Sequence, residues 1–318
     1  MPIAFVFPGQ GSQAVGMGRE LAEAFAPARE VFEAVDETLK QNLSRLMFEG
    51  PSEELTLTAN AQPALMAVSL AVMRVLEHEG GFDLKSRVTL VAGHSLGEYS
   101  ALSAAQSFDV ATAARLLRLR GEAMQKAVPA GTGAMAALLG AEMEQARAIC
   151  EKAAHGPEGE AEVVEAANDN GGGQVVISGH RPAVERAVAL AKEQGIKRAM
   201  LLPVSAPFHC ALMAPAADAM AQALAEAELR PPLVPVVANV SAAKATDPSE
   251  IRELLVRQVT GTVRWRECIG TMLELGCDRF VEIGSGKVLT GLMKRLAPDA
   301  AASSVGNPAD IEAFLKTV

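Results

Sequence analysis

The pentapeptide Gly93-His94-Ser95-Leu96-Gly97 follows an apolar run, Val88 to Ala92, and precedes a helical pattern over Glu98 to Ala105. A serine at the centre of G-x-S-x-G, between a strand and a helix, sits on a tight turn that exposes its hydroxyl. Side chains in place of the two glycines would crowd that turn. The N–H of Leu96 then lies at a helix N-terminus, ready to face a developing oxyanion. This is the setting that acyl transfer through a serine ester requires. It favours a nucleophile over a serine that merely caps the helix.

A serine hydroxyl is a weak nucleophile and needs a base. The histidines are His78, His94, His155, His180 and His209. His78 ends a helical pattern and His155 sits in a polar stretch, so both read as solvated. His94 adjoins Ser95, and an adjacent side chain on such a turn points away from it. His180 ends a strand pattern before Arg181-Pro182, and His209 closes an irregular segment, Ser205 to His209. On the residues alone His209 leads His180 only modestly, because it follows the nucleophile in the order of an α/β-hydrolase. A cation is also in view. Arg115, Arg118 and Arg120 share a helical run in which 115 and 118 lie on one face and 120 is turned away from 118. A guanidinium fork binds a carboxylate through two parallel charge-assisted hydrogen bonds. The usual fate of such a run is solvation of all its members, with 115 and 118 the natural solvent-facing pair.

The elements that must hold these groups follow from patterning. Of the 318 residues 49% are apolar and 21% charged, enough to bury a sizeable core and too ordered a composition for disorder, collagen or coiled coil. A net charge of −9 and 4% aromatics argue against nucleic acid and anionic membrane as partners. Apolar runs at Ile3 to Phe7 and Val88 to Ala92, separated by helical patterns through about Glu49 and from Gln62 to Glu79, predict an α/β fold with a parallel sheet covered on both faces. The middle of the chain differs. Ala134–Leu139, Val163–Asn168, Gln174–Ser178 and Arg198–Leu202 read as strands, with helices at Glu142–Ala154 and Pro182–Gln194. That βαββαβ order predicts a ferredoxin-like subdomain at 131–202, inserted into a hydrolase-like body made of 1–130 and 203–318. Body elements resume at Val234–Asn239, Pro248–Val259 and Arg279–Ile283. A cleft at the junction is the expected place for a site. Pro63 to Val75, the longest nearly apolar stretch, is interrupted by Arg74 and reads as a buried helix rather than a membrane span. Cys150, Cys210, Cys268 and Cys277 match no zinc or redox spacing, and MPIAFVFPGQ has no basic n-region, so a cytoplasmic protein with free thiols is expected.

Several motifs occur together in order. They are Phe7-Pro8-Gly9-Gln10-Gly11-Ser12-Gln13, Gln62-Pro63-Ala64-Leu65, Gly93-His94-Ser95-Leu96-Gly97-Glu98, Arg120-Gly121 with Met124-Gln125, His209-Cys210-Ala211-Leu212-Met213 and Gly286-Lys287-Val288-Leu289. Together they make the chain, from Phe7 to about Arg295, resemble the malonyl-CoA:acyl carrier protein transacylase family of type II fatty acid synthesis. The resemblance implies that Ser95 takes malonyl as an ester and that His209 serves as base and then acid. It implies that Arg120 holds the malonyl carboxylate, that Gln62 lines the substrate site, and that the N–H groups of Gln10 and Leu96 form the oxyanion hole. Gln258 matches the residue whose main-chain carbonyl orients the histidine. The implied partners are malonyl-CoA, CoA and acyl carrier protein, with no cofactor and no metal. Phe208 resembles the malonyl-type rather than methylmalonyl-type pattern of related extender-unit acyltransferases, where a ring would crowd a methyl branch. It departs from the smaller residue many bacterial loading enzymes carry. An acidic carrier protein would need a local basic patch on this acidic chain, either Lys192, Lys197 and Arg198 or Lys287, Lys294 and Arg295.

Weaker signals point elsewhere. Gly9-Gln10-Gly11-Ser12-Gln13-Ala14 satisfies a dinucleotide fingerprint, but the acidic residues about twenty positions on, Glu30 and Glu33, lie in a helical pattern. Gly284-Ser285-Gly286-Lys287 lacks the first P-loop glycine and is followed by Val288. Gly171-Gly172-Gly173 reads as a hairpin loop, and Cys210 as a small buried hydrophobe. Three rival functions share the features above: a serine esterase or thioesterase, a catalytically silent carrier-binding module, and a trans-acting acyltransferase of polyketide synthesis.

Overall fold

The structure is a computed structural model and describes residues 2–156, 159–204 and 206–318. Among the described residues ten strands form two sheets. In chain order they are β1 (Ile3–Phe7), β2 (Leu90–Gly93), β3 (Gly133–Leu139), β4 (Val164–Asp169), β5 (Gln174–His180), β6 (Arg198–Leu201), β7 (Val236–Val237), β8 (Lys244–Ala245), β9 (Arg279–Ile283) and β10 (Ala301–Val305). The larger sheet has the order β10-β9-β1-β2-β7-β8. All its pairs are parallel except β7 with β8, so the wholly parallel sheet expected from the sequence gains one antiparallel edge.

β1 shows why this sheet forms. It sits between β2 and β9, every residue of it is buried, and a strand covered on both faces must be apolar throughout. Ile3, Phe5 and Phe7 enter one core, with the helix Thr58–His78. Ala4 and Val6 enter the other, with Trp265, Ile269 and Leu292 from helices Trp265–Glu274 and Val288–Leu296. Thr58–His78 is long and apolar enough by composition to cross a membrane, yet 89% of its apolar window is buried inside the protein.

The smaller sheet is antiparallel, in the order β4-β5-β3-β6. Helices Met143–Ala153 and Arg181–Glu193 cover it with a core of its own, including Leu138, Ile149, Ile177 and Val184. Gly171, Gly172 and Gly173 all take positive φ in the β4–β5 connection. β4 is tied to the body by a parallel bridge from Asn168 to Val263.

Two expectations need correction, and two edge strands were not expected. The strand expected over Val234–Asn239 shrinks to Val236–Val237, because the chain turns at Asn239 to place that side chain under the serine elbow. The helix expected from Gln62 begins at Thr58, which places Pro63 inside it, where its missing N–H forgoes one intrahelical bond that the surrounding burial must offset. β8 and β10 lie at the sheet's two edges, and Ala301-Ala302-Ser303-Ser304 carries too little apolar alternation to reveal β10.

Candidate active site

The chain leaves β2 at Gly93, turns at Ser95 and enters the helix Gly97–Ala104. Ser95 has φ 53°, the left-handed region that costs an L-residue roughly 1–2 kcal/mol. The turn closes so tightly that a Cβ at Gly93 would lie 1.9 Å from the carbonyl of Gly97, and one at Gly97 2.3 Å from the carbonyl of Phe7. Both clashes are with backbone, which cannot swing aside. Asn239 secures the turn from below. Its Nδ2 donates to Gly93 O at 2.7 Å and its Oδ1 accepts from Ser95 N at 2.8 Å.

Ser95 Oγ lies 2.8 Å from His209 Nε2. The ring's Nδ1 is 2.9 Å from the main-chain oxygen of Gln258, an acceptor, so Nδ1 carries the proton and Nε2 is free to accept one. His209 itself adopts φ 58°, so nucleophile and base are both held on strained backbone. Burial, and next the positive charge of Arg120, push the imidazole pKa down to about 3. The ring is therefore neutral at physiological pH.

Arg120, on the helix Val110–Lys126, is 1% exposed. Its Nη1 donates to Gln62 Oε1 at 2.8 Å, and its Nη2 to Gln258 Oε1 at 2.9 Å and Ser95 Oγ at 3.2 Å. Its Nε, also buried, has no acceptor among the described residues. Among the described residues no carboxylate pairs with it directly. Glu98 approaches through Gln258, whose Nε2 donates to Glu98 Oε2 at 2.9 Å. Burial drives the Glu98 carboxyl up to about 7, against the lowering pull of its hydrogen bonds and of Arg120.

A cavity of about 390 Å³ opens over these groups. Gln10, Gln62, Ser95, Leu96, Arg120, Phe208 and His209 line it from the body. Met135, Asn168, Asn170 and Val176 line it from the antiparallel unit, so the site lies where the two sheets' units meet. Gln10 is steadied by a 3.3 Å hydrogen bond from Nε2 to Thr58 Oγ1. Leu96 caps the helix Gly97–Ala104, among the first amides of a helix that lack intrahelical acceptors. All eight residues singled out in the sequence thus come together. Gln258, which does not line the cavity, supports it from behind.

His180 and His94 are engaged elsewhere. His180 Nδ1 accepts from Val163 N at 2.9 Å within the small unit. His94 points away from the serine hydroxyl, its Nε2 2.8 Å from Asn170 Oδ1 and its ring edge-on to Trp265. Cys210 is buried, its thiol pushed up to about 11, which makes it a poor nucleophile. The arginine run splits differently from expectation. Arg115 is exposed, but Arg118 is half-buried and donates to Asn60 Oδ1 at 3.0 Å and to Gln41 Oε1. Ser205, which opens the irregular segment before His209, lies outside the described residues. Asn239 and Asn170 were not found from sequence. For Asn239 a signal existed: it follows the carboxyl end of a parallel strand, where sites of open α/β sheets gather.

The chain belongs to the acyl transferase domain family, which it matches over residues 4–307. It is 46% identical over 313 residues to the malonyl CoA-acyl carrier protein transacylase of Escherichia coli K12, covering 98% of each chain. Among solved structures it is similar to an acyl-carrier-protein S-malonyltransferase from Bartonella henselae, with 56% identity, a TM-score of 0.96, and coverage of 100% of this chain and 99% of the other. A malonyl-transacylase solved in complex with a type II PKS acyl-carrier protein is 44% identical, with a TM-score of 0.95 and full coverage of both chains.

Proposed function

We propose that this enzyme transfers malonyl from malonyl-CoA to the phosphopantetheine thiol of acyl carrier protein, through a malonyl ester of Ser95, in fatty acid synthesis. One observation carries the reading: Ser95 Oγ touches a neutral imidazole and a buried guanidinium at once. His209 Nε2 takes the hydroxyl proton as Ser95 Oγ attacks the thioester carbonyl. The N–H groups of Gln10 and Leu96 receive the oxyanion, and Arg120 and Gln62 hold the distal carboxylate. The tetrahedral intermediate collapses, the C–S bond breaks, and His209 returns its proton to the departing CoA sulfur. The carrier's thiol then gives its proton to His209, attacks the ester and regenerates Ser95. The Gln258 carbonyl fills the place of an orienting carboxylate on Nδ1. No step calls on a metal or cofactor.

We read the antiparallel unit as a ferredoxin-like subdomain, 131–202, inserted in a hydrolase-like body. Its strand order, fourth-first-third-second in its own numbering, supports that. Four free, buried cysteines support a cytoplasmic location. The relative in complex with a polyketide carrier favours one second reading, an acceptor belonging to polyketide synthesis.

The test is incubation with radiolabelled malonyl-CoA followed by denaturation. A covalent label that is lost in Ser95→Ala and is chased onto acyl carrier protein is expected. A label surviving in Ser95→Ala refutes the assignment, and release of free malonate instead of transfer points to a hydrolase.

A further inference from the structure

Three residues beyond the nucleophile, Glu98 occupies the first turn of the elbow helix and is only 1% exposed. A carboxylate this deep normally has a cation against it. Glu98 has none in an ion pair among the described residues. Its Oε2 instead accepts from Asn239 N and from Gln258 Nε2, both at 2.9 Å.

Those two donors belong to the residues on which the site depends. Asn239 clamps the elbow at Gly93 O and Ser95 N. Gln258 gives its main-chain oxygen to His209 Nδ1, its Oε1 to Arg120 Nη2, and its Nε2 to Ser95 O at 2.9 Å as well as to Glu98. Only one orientation of the Gln258 amide satisfies this set. Turned over, its NH₂ would face the guanidinium donors and its oxygen would face a carboxylate and a carbonyl. An anion on one side and a cation on the other therefore fix the amide between them, and with it the stretch of backbone that aims the imidazole.

We propose that Glu98 is a positioning residue for acyl transfer: its buried carboxylate locks Gln258 and Asn239, and through them the ring of His209, the fork of Arg120 and the turn of Ser95. The inference rests on the acyl-transfer reading above. It adds that the ionised form of Glu98 is the working one. Proton uptake would leave a weaker acceptor and loosen the lock. The charged and titratable groups facing Glu98 are Arg120 from the helix Val110–Lys126, Cys268 from the helix Trp265–Glu274 and Tyr99 on its own helix. Tyr99 and Cys268 are held protonated by burial, so neither changes charge near neutrality. With the carboxyl raised to about 7 and the base lowered to about 3, an acid limb near neutrality belongs to Glu98 and not to His209.

The test is the single-turnover rate of Ser95 acylation by labelled malonyl-CoA from pH 5.5 to 8.5, in the wild type and in Glu98→Gln, a neutral isostere that keeps an acceptor oxygen. Expected is an acid limb in the wild type near pH 7. The variant should be about ten- to a hundredfold slower at pH 8.5, flat with pH, and level with the wild type at pH 5.5. A variant with wild-type rate and wild-type limb overturns the proposal. A merely structural role would lower the rate and leave the limb in place, which also overturns it. If the variant does not fold, infrared titration of the wild type decides. A buried carboxylic acid band that disappears with the same midpoint as the acylation limb supports the lock, and any other midpoint refutes it. If the wild type takes no label on Ser95, the acyl-transfer reading fails instead.

Discussion

Replacing Arg120 by alanine separates two jobs of one guanidinium. In the resting site its Nη atoms rest on the neutral oxygens of Gln62, Gln258 and Ser95, and its Nε has no partner among the described residues. A carboxylate entering this fork gains charge-assisted hydrogen bonds worth about 1.5–3 kcal/mol each. A bidentate pair comes to about 3–6 kcal/mol, which converts to a loss of roughly 10²–10⁴ in kcat/KM for malonyl-CoA. Acetyl-CoA has no such carboxylate and loses none of this. The second job has the opposite sign. The charge of Arg120 helps to lower the His209 pKa, so its removal makes the imidazole a stronger base, although burial, the larger cause, stays. Acetylation of Ser95 should therefore suffer only the loosening of the Gln258 amide that Arg120 helps to fix, while malonylation collapses. Rapid-quench acylation with each labelled thioester measures both. A malonyl-to-acetyl ratio unchanged within about twofold, or an equal fall in both, would falsify the clamp.

Three further outcomes are expected. The folded His209 pKa lies below its unfolded value of 6.5, so its stabilising contribution is present above pH 6.5 and is lost as pH falls toward about 3. Integrated to pH 4.5 that is about 3 kcal/mol. In urea titrations, His209→Ala should lose about 3 kcal/mol less than the wild type between pH 7.5 and 4.5, and equal losses would show that the imidazole is not held neutral. Phe208 is buried and walls the cavity, so Phe208→Ala should raise methylmalonyl relative to malonyl loading roughly 5- to 150-fold; an unchanged competition ratio removes the ring from selectivity. Lys192, Lys197 and Arg198 are exposed on and before β6, while Lys287, Lys294 and Arg295 are exposed at the helix packed on the Gly171–Gly173 loop. Charge reversal of the docking cluster should raise KM for carrier protein alone, and no change for either cluster in turn would leave docking to other residues.

The serine elbow was legible because its chemistry is local: strand, glycine, nucleophile, glycine and helix are contiguous, and each glycine answers to a backbone clash. The small unit was legible because its strands alternate with helices of clear period, and its core is made within one stretch of chain. Arg120 was not separable from its run by periodicity alone. What distinguishes it from Arg118 is a pair of glutamines 58 residues before it and 138 after it. Gln258 and Asn239 were harder still, because their work is done by main-chain atoms and side-chain amides for which no spacing rule exists. Edge strands β8 and β10 escaped because an edge buries little, and so demands little apolar patterning.

The electrostatics also bear on which acyl group such a site would load. A base lowered to about 3 is a poor match for a reaction near neutrality, since general-base efficiency falls as the pKa drops below the working pH. Part of that lowering comes from the unneutralised charge of Arg120. A substrate that brings its own carboxylate to the guanidinium cancels that part, and so raises the basicity of His209 on arrival. A thioester without the carboxylate leaves the base weak. The same cation that recognises the acyl group would then regulate the group that activates the serine, and discrimination would be read in the acylation step as well as in binding. The burial of His209 and Arg120, with Ser95 half-buried between them at the cavity, makes this coupling strong, because charges of low solvent exposure are poorly screened.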